Sequence, residues 1–103
     1  MAVVIYRAKA RRDLERIFWY GMEQFGIRTA DKMMQHIDYC AVLLSLNPRL
    51  GKIEPLLAGH RFEYRSFVVH PNFKLIYYIN EEKDRIVITN FFDTRQNPNK
   101  LND

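Results

Sequence analysis

Cysteine, glycine and proline are scarce in this sequence of 103 residues, and long apolar runs are absent. Cys40 is the only cysteine, which excludes an internal disulfide and a metal site built from cysteines. The four glycines and four prolines are spread out, so a long disordered segment is not expected. No apolar run approaches the roughly 20 residues that span a bilayer. The opening MAVVIYRAKARR places apolar residues before charges, the reverse of a secretory signal, and we expect a cytoplasmic protein.

Motifs of several common enzyme classes are also missing. The sequence contains neither GxGxxG nor GxxxxGK[ST], the glycine-rich loops that bind nucleotide phosphates. His36, His60 and His70 lack the spacing of metal ligands, and no HExxH or CxxC occurs. Ser45 and Ser66 lack a nucleophile elbow. The sequence therefore predicts no cofactor and no metal, and it argues against nucleotide-dependent, zinc and serine-hydrolase enzymes.

The composition indicates a single domain over residues 1–103. The chain is 48% hydrophobic and 14% aromatic, which is enough for one core at this length. Sixteen lysines and arginines against twelve aspartates and glutamates give a net charge of +4. This excess favours anionic partners, either nucleic acid or an acidic protein.

Two segments have the spacing of amphipathic helices. Apolar residues recur at i, i+3 and i+4 from Lys9 to Phe25, and a second apolar stripe runs from Arg28 to Leu46. Gly26 lies where a left-handed residue would end the first helix, and Asn47-Pro48 ends the second. Because the connection is short, the helices are expected to pack as an antiparallel hairpin. Cys40 falls on the apolar face of the second helix, where we expect it to be buried.

β-branched and aromatic residues mark the other ordered segments as strands. The predicted strands are Ala2–Tyr6, Arg61–Val69, Phe73–Ile79 and Arg85–Phe92. Residues 47–60 are expected to form an irregular connection. The predicted fold class is therefore α+β, in the order β-α-α-β-β-β, with the helix hairpin packed on one face of a mostly antiparallel sheet. Most of the tyrosines and phenylalanines of these strands are expected in the core.

Basic residues on the predicted strands form one candidate site. Arg61 and Arg65 share a predicted strand and should point the same way, since side chains alternate with period two. Lys74 is on the next strand, and Arg95 lies just beyond the last. If the strands pair as consecutive hairpins, these cations can converge on one sheet surface and bind phosphate or a charged phosphoryl centre. The alternative is a solvated sheet face with Glu63 as an ion-pair partner.

The first predicted helix carries a second candidate surface. A basic cluster that includes Arg11, Arg12 and Arg16 opens this helix, where positive charge is unfavourable to the helix dipole. A use in binding explains such a cluster, and a solvated face explains it as well. Trp19 and Tyr20 fall off the apolar stripe, so they either widen the core contact or meet a partner.

Motifs along nearly the whole chain match those of one protein family. The run A-x-x-D-L-x-x-I-x-x-Y is present as Ala10, Asp13, Leu14, Ile17 and Tyr20, with Phe25-Gly26 after it. The strand region contains Tyr64-Arg65-Ser66-Phe67, Phe73 to Ile79, Ile86 to Ile88 and Asp93 to Pro98. In this combination and order the chain resembles the RelE/ParE superfamily of toxins (plasmid stabilisation proteins) from type II toxin–antitoxin systems.

The resemblance implies a toxin that arrests growth when free and is silenced by an antitoxin wrapped around it. RelE-type members cut mRNA in the ribosomal A site, whereas ParE-type members block DNA gyrase and carry no nuclease residues. By position, Lys74 and Arg95 match two arginines of the RelE-type set, and Arg65 matches one of a pair of lysines. The companion of that lysine is replaced by Phe67. The C-terminal acid/base position falls near Leu101, and neither Tyr nor His follows Arg95.

Three functions are compatible with these residues. The first is a ParE-like toxin without catalysis, which binds gyrase and a cognate antitoxin. The second is a ribosome-dependent endoribonuclease in which Arg65, Lys74 and Arg95 contact phosphate, while His70 or Lys74 transfers the proton. The third is an inactive toxin that now only binds its antitoxin.

In all three cases we expect the antitoxin to cover the helix hairpin and an exposed sheet edge, through apolar grooves and acidic contacts to the basic face. A toxin–antitoxin hetero-oligomer is therefore expected. The residues predicted to bind the antitoxin or the target are Arg11, Arg12, Arg16, Trp19 and Tyr20.

Overall fold

Two helices pack on one face of a five-stranded sheet in a computed structural model that describes residues 1–101. This arrangement confirms the predicted α+β class and the order β-α-α-β-β-β, to which the structure adds one short strand. The strands are β1 (Val3–Tyr6), β2 (Lys52–Ile53), β3 (Arg65–His70), β4 (Phe73–Asn80) and β5 (Arg85–Asp93). The helices are α1 (Ala8–Phe25) and α2 (Ile27–Leu46), and short 3₁₀ turns occur at Pro55–Leu57 and Pro98–Lys100.

The strand order across the sheet is β1-β5-β4-β3-β2. The strands β3, β4 and β5 are consecutive antiparallel neighbours, as hairpin pairing predicts. In contrast, β1 runs parallel to β5, with Val3 opposite Arg85 and Tyr6 opposite Ile88. The helix hairpin is therefore the crossover between β1 and the rest of the sheet. Since β1 pairs with β5 only as far as Ile88, the last residues of β5 have α1 beside them instead of a strand.

A single glycine separates the two helices. Gly26 has a φ of 89°, and its N–H donates to the carbonyl of Met22 to end α1. At the crossing of the helices, a Cβ on Gly21 would stand 3.2 Å from the Cα of Ala30. The missing side chain lets the two backbones approach closely, which fixes the hairpin. Within residues 1–101, no helix combines the length and the apolar character that crossing a membrane requires.

The sheet buries apolar side chains on both faces. The core between the helices and the sheet includes Ile17, Ile37, Leu44, Leu75, Tyr77, Ile86, Ile88 and Phe91. A second core on the outer face is made of Leu57, Tyr64, Ile76, Tyr78, Val87, Phe92 and Leu101. Most aromatic residues of the strands are therefore in the core, as predicted, and Cys40 is buried as well. The outer core is covered by the segment between β2 and β3 and by Leu101, not by an α-helix.

The segment from Arg61 to Tyr64 is not part of a strand, although its sequence alternates like one. The strand β3 begins at Arg65, and the residues before it fold across the outer face. Phe62 stacks on Tyr78 with the ring centroids 4.0 Å apart, and Arg61 is exposed over the Phe62 ring. The prediction that Arg61 and Arg65 share one strand is therefore wrong, because aromatic packing on the outer face replaces strand pairing here.

Candidate functional site

The cations on the strands do not gather on one face of the sheet. Arg65 lies opposite Tyr77 in the β3–β4 ladder, and Lys74 precedes Tyr77 by three residues on β4. Side chains alternate along a strand, so this odd separation places Arg65 and Lys74 on opposite faces. Tyr77 belongs to the core under the helices, which puts Arg65 on the helix side and Lys74 on the outer side. The predicted convergence of Arg65, Lys74 and Arg95 is therefore wrong.

Arg65 is tied to the loop that precedes β2. One of its terminal nitrogens donates to the carbonyl of Gly51 at 2.8 Å. The other lies 3.5 Å from the carboxylate of Glu63, and the Arg65 side chain is 13% exposed. Glu63 is thus the ion-pair partner of Arg65, as the alternative to a phosphate-binding site predicts. The contact with Gly51 holds the entry to β2 against the start of β3, and the contact with Glu63 is local to the start of β3.

Lys74 is engaged by a buried carboxylate. Its ammonium group forms an ion pair with Glu54, whose side chain is 1% exposed. Glu54 also accepts a hydrogen bond from the N–H of Leu56 at 2.9 Å. Burial raises the pKa of Glu54, but the hydrogen bonds from Lys74 and Leu56 outweigh it and leave the pKa below its usual range. Lys74 therefore neutralises a buried charge of the protein itself.

Arg95 lies beyond β5 on the helix side. Its Nε and one terminal nitrogen donate to the two carboxylate oxygens of Asp93, at 3.0 Å and 2.8 Å. The side-chain hydrogen bonds from Arg95 are the largest cause that lowers the pKa of Asp93. The guanidinium stands over the rings of Tyr20 and Phe73, 5.2 Å and 5.9 Å from their centroids. Arg95 therefore joins the end of β5 to α1.

His70 ends β3 on the same side as Arg95. Its Nδ1 accepts the N–H of Asn72 at 3.1 Å, and its ring centroid is 5.4 Å from that of Phe73. Burial, the positive charge of Arg95 and the neighbouring His36 lower the pKa of His70. Of the four residues predicted for a nuclease, the structure brings together only His70 and Arg95, which share Phe73 as a neighbour.

We expect the imidazole of His70 to titrate below the ordinary histidine pKa of 6.5. Because its pKa is depressed in the folded state, the stability linked to neutral His70 is present above pH 6.5 and is lost as the pH falls through the folded-state value. NMR titration of the histidine ring signals measures the midpoint. Arg95→Ala should raise this midpoint, whereas the matched variant Arg85→Ala, at the other end of β5, should not. An unchanged midpoint in Arg95→Ala would contradict the electrostatic contact.

Four of the five residues predicted to bind a partner surround one groove on α1. This Trp19 groove has a volume of about 560 Å³ and is lined by Arg12, Glu15, Arg16, Trp19, Tyr20 and Glu23. Trp19 is 55% exposed within it. Arg11 does not line the groove, and its charge acts on Tyr6 instead. The reason is helical spacing, since Arg12, Arg16 and Trp19 share a face and Arg11 is one position away from it.

A smaller cleft adjoins the Trp19 groove, between α1 and the end of β5. This cationic cleft has a volume of about 210 Å³, and the charged residues that line it are Lys9, Asp13, Arg16, Asp93, Arg95 and Lys100. Four cations and two carboxylates leave an excess of two positive charges. Arg16 and Tyr20 line both the cleft and the groove. The cleft can therefore attract an anionic group beside the exposed ring of Trp19.

Asp13 connects α1 to β5 within the cationic cleft. Its side chain is 7% exposed and accepts the backbone N–H of Phe91 at 2.9 Å. Lys9 and Arg16 pair with the same carboxylate, at 3.3 Å and 2.8 Å. Phe91 lies beyond the stretch of β5 that pairs with β1, so its N–H has no carbonyl of β1 to donate to. The carboxylate of Asp13 accepts this N–H in its place.

The amino-acid sequence matches one protein family over most of its length. A family model for the ParE toxin of the type II toxin–antitoxin system parDE matches residues 4–98. This chain belongs to the ParE toxin family. The match spans the helix hairpin and, apart from Val3, all five strands of the toxin, and it confirms the resemblance carried by the α1 and strand motifs.

Solved structures of other toxins are similar to this toxin in fold. The chromosomal ParDE toxin–antitoxin system from P. aeruginosa is 19% identical with a TM-score of 0.72, covering 90% of this chain and 96% of that one. A metal-bound toxin from Helicobacter pylori is 16% identical with a TM-score of 0.69, covering 92% and 97%. The intact E. coli RelBE toxin–antitoxin complex is 10% identical with a TM-score of 0.56, covering 93% and 100%. A comparison with curated protein sequences gives no match.

Sequence reasoning does not assign four charged residues of the toxin's cationic cleft to a site, namely Lys9, Asp13, Asp93 and Lys100. Asp13 is visible only as part of the family motif, because its partner Phe91 lies 78 residues away. Lys9 could have been found from its i,i+4 spacing to Asp13. Lys100 lies outside the helices and strands, so no periodic spacing in the sequence points to it. The 3₁₀ turn at Pro98–Lys100 brings it to the cleft.

Proposed function

We propose that this toxin has no catalysis of its own and inhibits growth in the cytoplasm by binding DNA gyrase. Gyrase is the target that the resemblance to ParE toxins implies. We also propose that a cognate antitoxin neutralises it in a toxin–antitoxin hetero-oligomer. The main observation in support of a toxin without catalysis is the buried ion pair of Lys74 with Glu54.

RNA cleavage needs free cations at one phosphate, together with an acid and a base. Lys74 is on the outer face, while Arg65 and Arg95 are on the helix side, so the three cannot meet at one phosphate. To reach a phosphate, Lys74 would have to leave Glu54 unpaired in the interior, which is strongly unfavourable. These positions support a toxin that acts by binding.

The C-terminal segment supports the same proposal. Residues 96–103 contain neither Tyr nor His, which the resemblance to RelE-type enzymes would place there as acid or base. Leu101, near that position, is 5% exposed and packs in the outer core. A buried leucine has no proton to transfer, so its position is structural.

The test combines purified toxin, gyrase, relaxed plasmid and ATP. We expect stoichiometric toxin to suppress supercoiling, and the same toxin preincubated with its antitoxin to have no effect. Normal supercoiling at a large excess of folded toxin would count against gyrase as the target.

A second candidate, a ribosome-dependent endoribonuclease, is favoured by one observation, the neighbouring positions of His70 and Arg95. A histidine whose pKa is lowered is a neutral base at pH 7. Adding toxin to translating ribosomes tests this candidate by primer extension on the mRNA. We expect intact mRNA, with Arg95→Ala indistinguishable from the wild-type toxin. Cleavage in the A site that Arg95→Ala abolishes would replace our proposal with this one.

A growth assay distinguishes the third candidate, an inactive toxin, from the other two. Expression of the toxin alone should arrest growth, and co-expression of the antitoxin should relieve the arrest. Normal growth on expression of the folded toxin, together with tight antitoxin binding, would identify an inactive toxin.

A further inference from the structure

The cationic cleft and the Trp19 groove are adjoining parts of one surface. Arg16 and Tyr20 line both, so no intervening element separates them along α1. The Arg16 side chain is 74% exposed, and Trp19 is 55% exposed. A segment that lies along this side of α1 therefore contacts both parts at once.

The two parts differ in charge. The cationic cleft has an excess of two positive charges from its six charged residues. In the Trp19 groove, Arg12 and Arg16 are balanced by Glu15 and Glu23, and the exposed indole of Trp19 is the main apolar surface. The cleft thus favours an anionic group, and the groove favours a neutral apolar one.

The cleft also has donors for a further carboxylate. Arg16 donates to Asp13 through one terminal nitrogen, and a guanidinium carries five N–H groups. Lys100, on the 3₁₀ turn that follows β5, is exposed and lines the same cleft. A carboxylate between Arg16 and Lys100 would receive charge-assisted hydrogen bonds from both.

We propose that the cognate antitoxin binds this surface through a segment with adjacent apolar and acidic side chains. The apolar side chain covers Trp19, and the Asp or Glu enters the cationic cleft between Arg16 and Lys100. This inference rests on the proposed neutralisation by an antitoxin and names the chemistry of the contact. Tryptophan and arginine are the residue types that most often dominate protein–protein binding energies.

An acidic peptide fits this surface better than a nucleic-acid strand. A strand would carry phosphates along the whole of α1, where Glu15 and Glu23 line the Trp19 groove and repel them. The positive excess is confined to a cleft of about 210 Å³, which suits one or two carboxylates. An apolar side chain beside an acidic one matches both parts.

The test measures binding of the toxin to its antitoxin, taken as the protein encoded by the neighbouring gene. Binding is measured by calorimetry with purified proteins. Arg16→Glu with Lys100→Glu, and separately Trp19→Ala, should each weaken binding by about tenfold or more. Arg85→Glu and Val68→Ala are matched controls, since both residues are exposed on strands away from the helix hairpin, and they should stay within about twofold. Thermal melting of every variant checks that it remains folded.

The possible results separate the inference from the proposed function. Tight binding that neither cleft nor groove variants weaken would overturn the inference and leave an antitoxin bound elsewhere. No binding by the wild-type toxin would overturn both. A labelled single-stranded RNA that binds through Arg16 and Trp19, when the neighbouring protein does not, would replace the peptide with nucleic acid.

Discussion

Replacement of Lys74 by methionine is expected to lower the free energy of unfolding by about 3–5 kcal/mol. Lys74 and Glu54 form an ion pair in which the side chains are 16% and 1% exposed. Without the ammonium group, the carboxylate of Glu54 remains in the interior without its ion pair to Lys74 and still accepts the N–H of Leu56. Urea unfolding followed by circular dichroism measures the loss.

The double variant Lys74→Met with Glu54→Gln is the control for this substitution. Glutamine is neutral and keeps an acceptor for Leu56, so most of the lost stability should return. In the wild type the pKa of Glu54 is lowered, so its stabilisation is present above pH 4.5 and is lost as the pH falls through the folded-state pKa. In Lys74→Met burial should instead raise this pKa, so the stability deficit should shrink towards acid pH. A deficit that stays constant with pH would refute the unpaired charge as its cause.

Replacement of Gly51 by alanine should cost about 2–4 kcal/mol of unfolding free energy. An added Cβ would stand 2.6 Å from the hydroxyl of Tyr77 and 2.8 Å from the carbonyl oxygen of Ser66. The Ser66 oxygen is backbone within β3 and cannot move aside without disturbing the strand. Tyr77 donates to the carbonyl of Pro48 at 2.7 Å and accepts the N–H of Gly51 at 2.9 Å, so any shift also breaks these bonds.

Gly59→Ala serves as the comparison for this loop glycine. A Cβ at Gly59 would meet open space, and the only penalty is its φ of 81°, for which about 1–2 kcal/mol is expected. Thermal and urea unfolding of both variants should therefore rank Gly51→Ala as the less stable. Equal stability of the two would show that the loop before β2 yields easily, contrary to the close contacts around Tyr77.

The helices and the three hairpin strands could be predicted because their signals are local. Helical periodicity gives α1 and α2 within about two residues, and Gly26 gives the break between them. The segment from Arg61 to Tyr64 could not be predicted, since alternating residues suit both a strand and a loop packed on a sheet. The outer core decides between these two, through the stacking of Phe62 on Tyr78.

The candidate binding surface was predictable in part for the same reason. Arg12, Arg16, Trp19 and Tyr20 are neighbours on one helix, so their spacing brings them together. Lys74 is on β4 and Arg95 follows the neighbouring strand β5, so the direction of each side chain depends on the register of the sheet. A register shift of one residue moves a side chain to the opposite face of the sheet, and the register cannot be read directly from the sequence.

The sequence by itself determined the fold class, the helix hairpin, the core character of the aromatic residues and the family to which the toxin belongs. Only the tertiary structure decided that β1 lies parallel to β5, that Asp13 caps Phe91 from 78 residues away and that Glu54 engages Lys74. Local spacing along the chain fixes which way a helix or strand presents its residues. The partner that each residue meets depends on which distant segments pack together, because burial and charge pairing act across space.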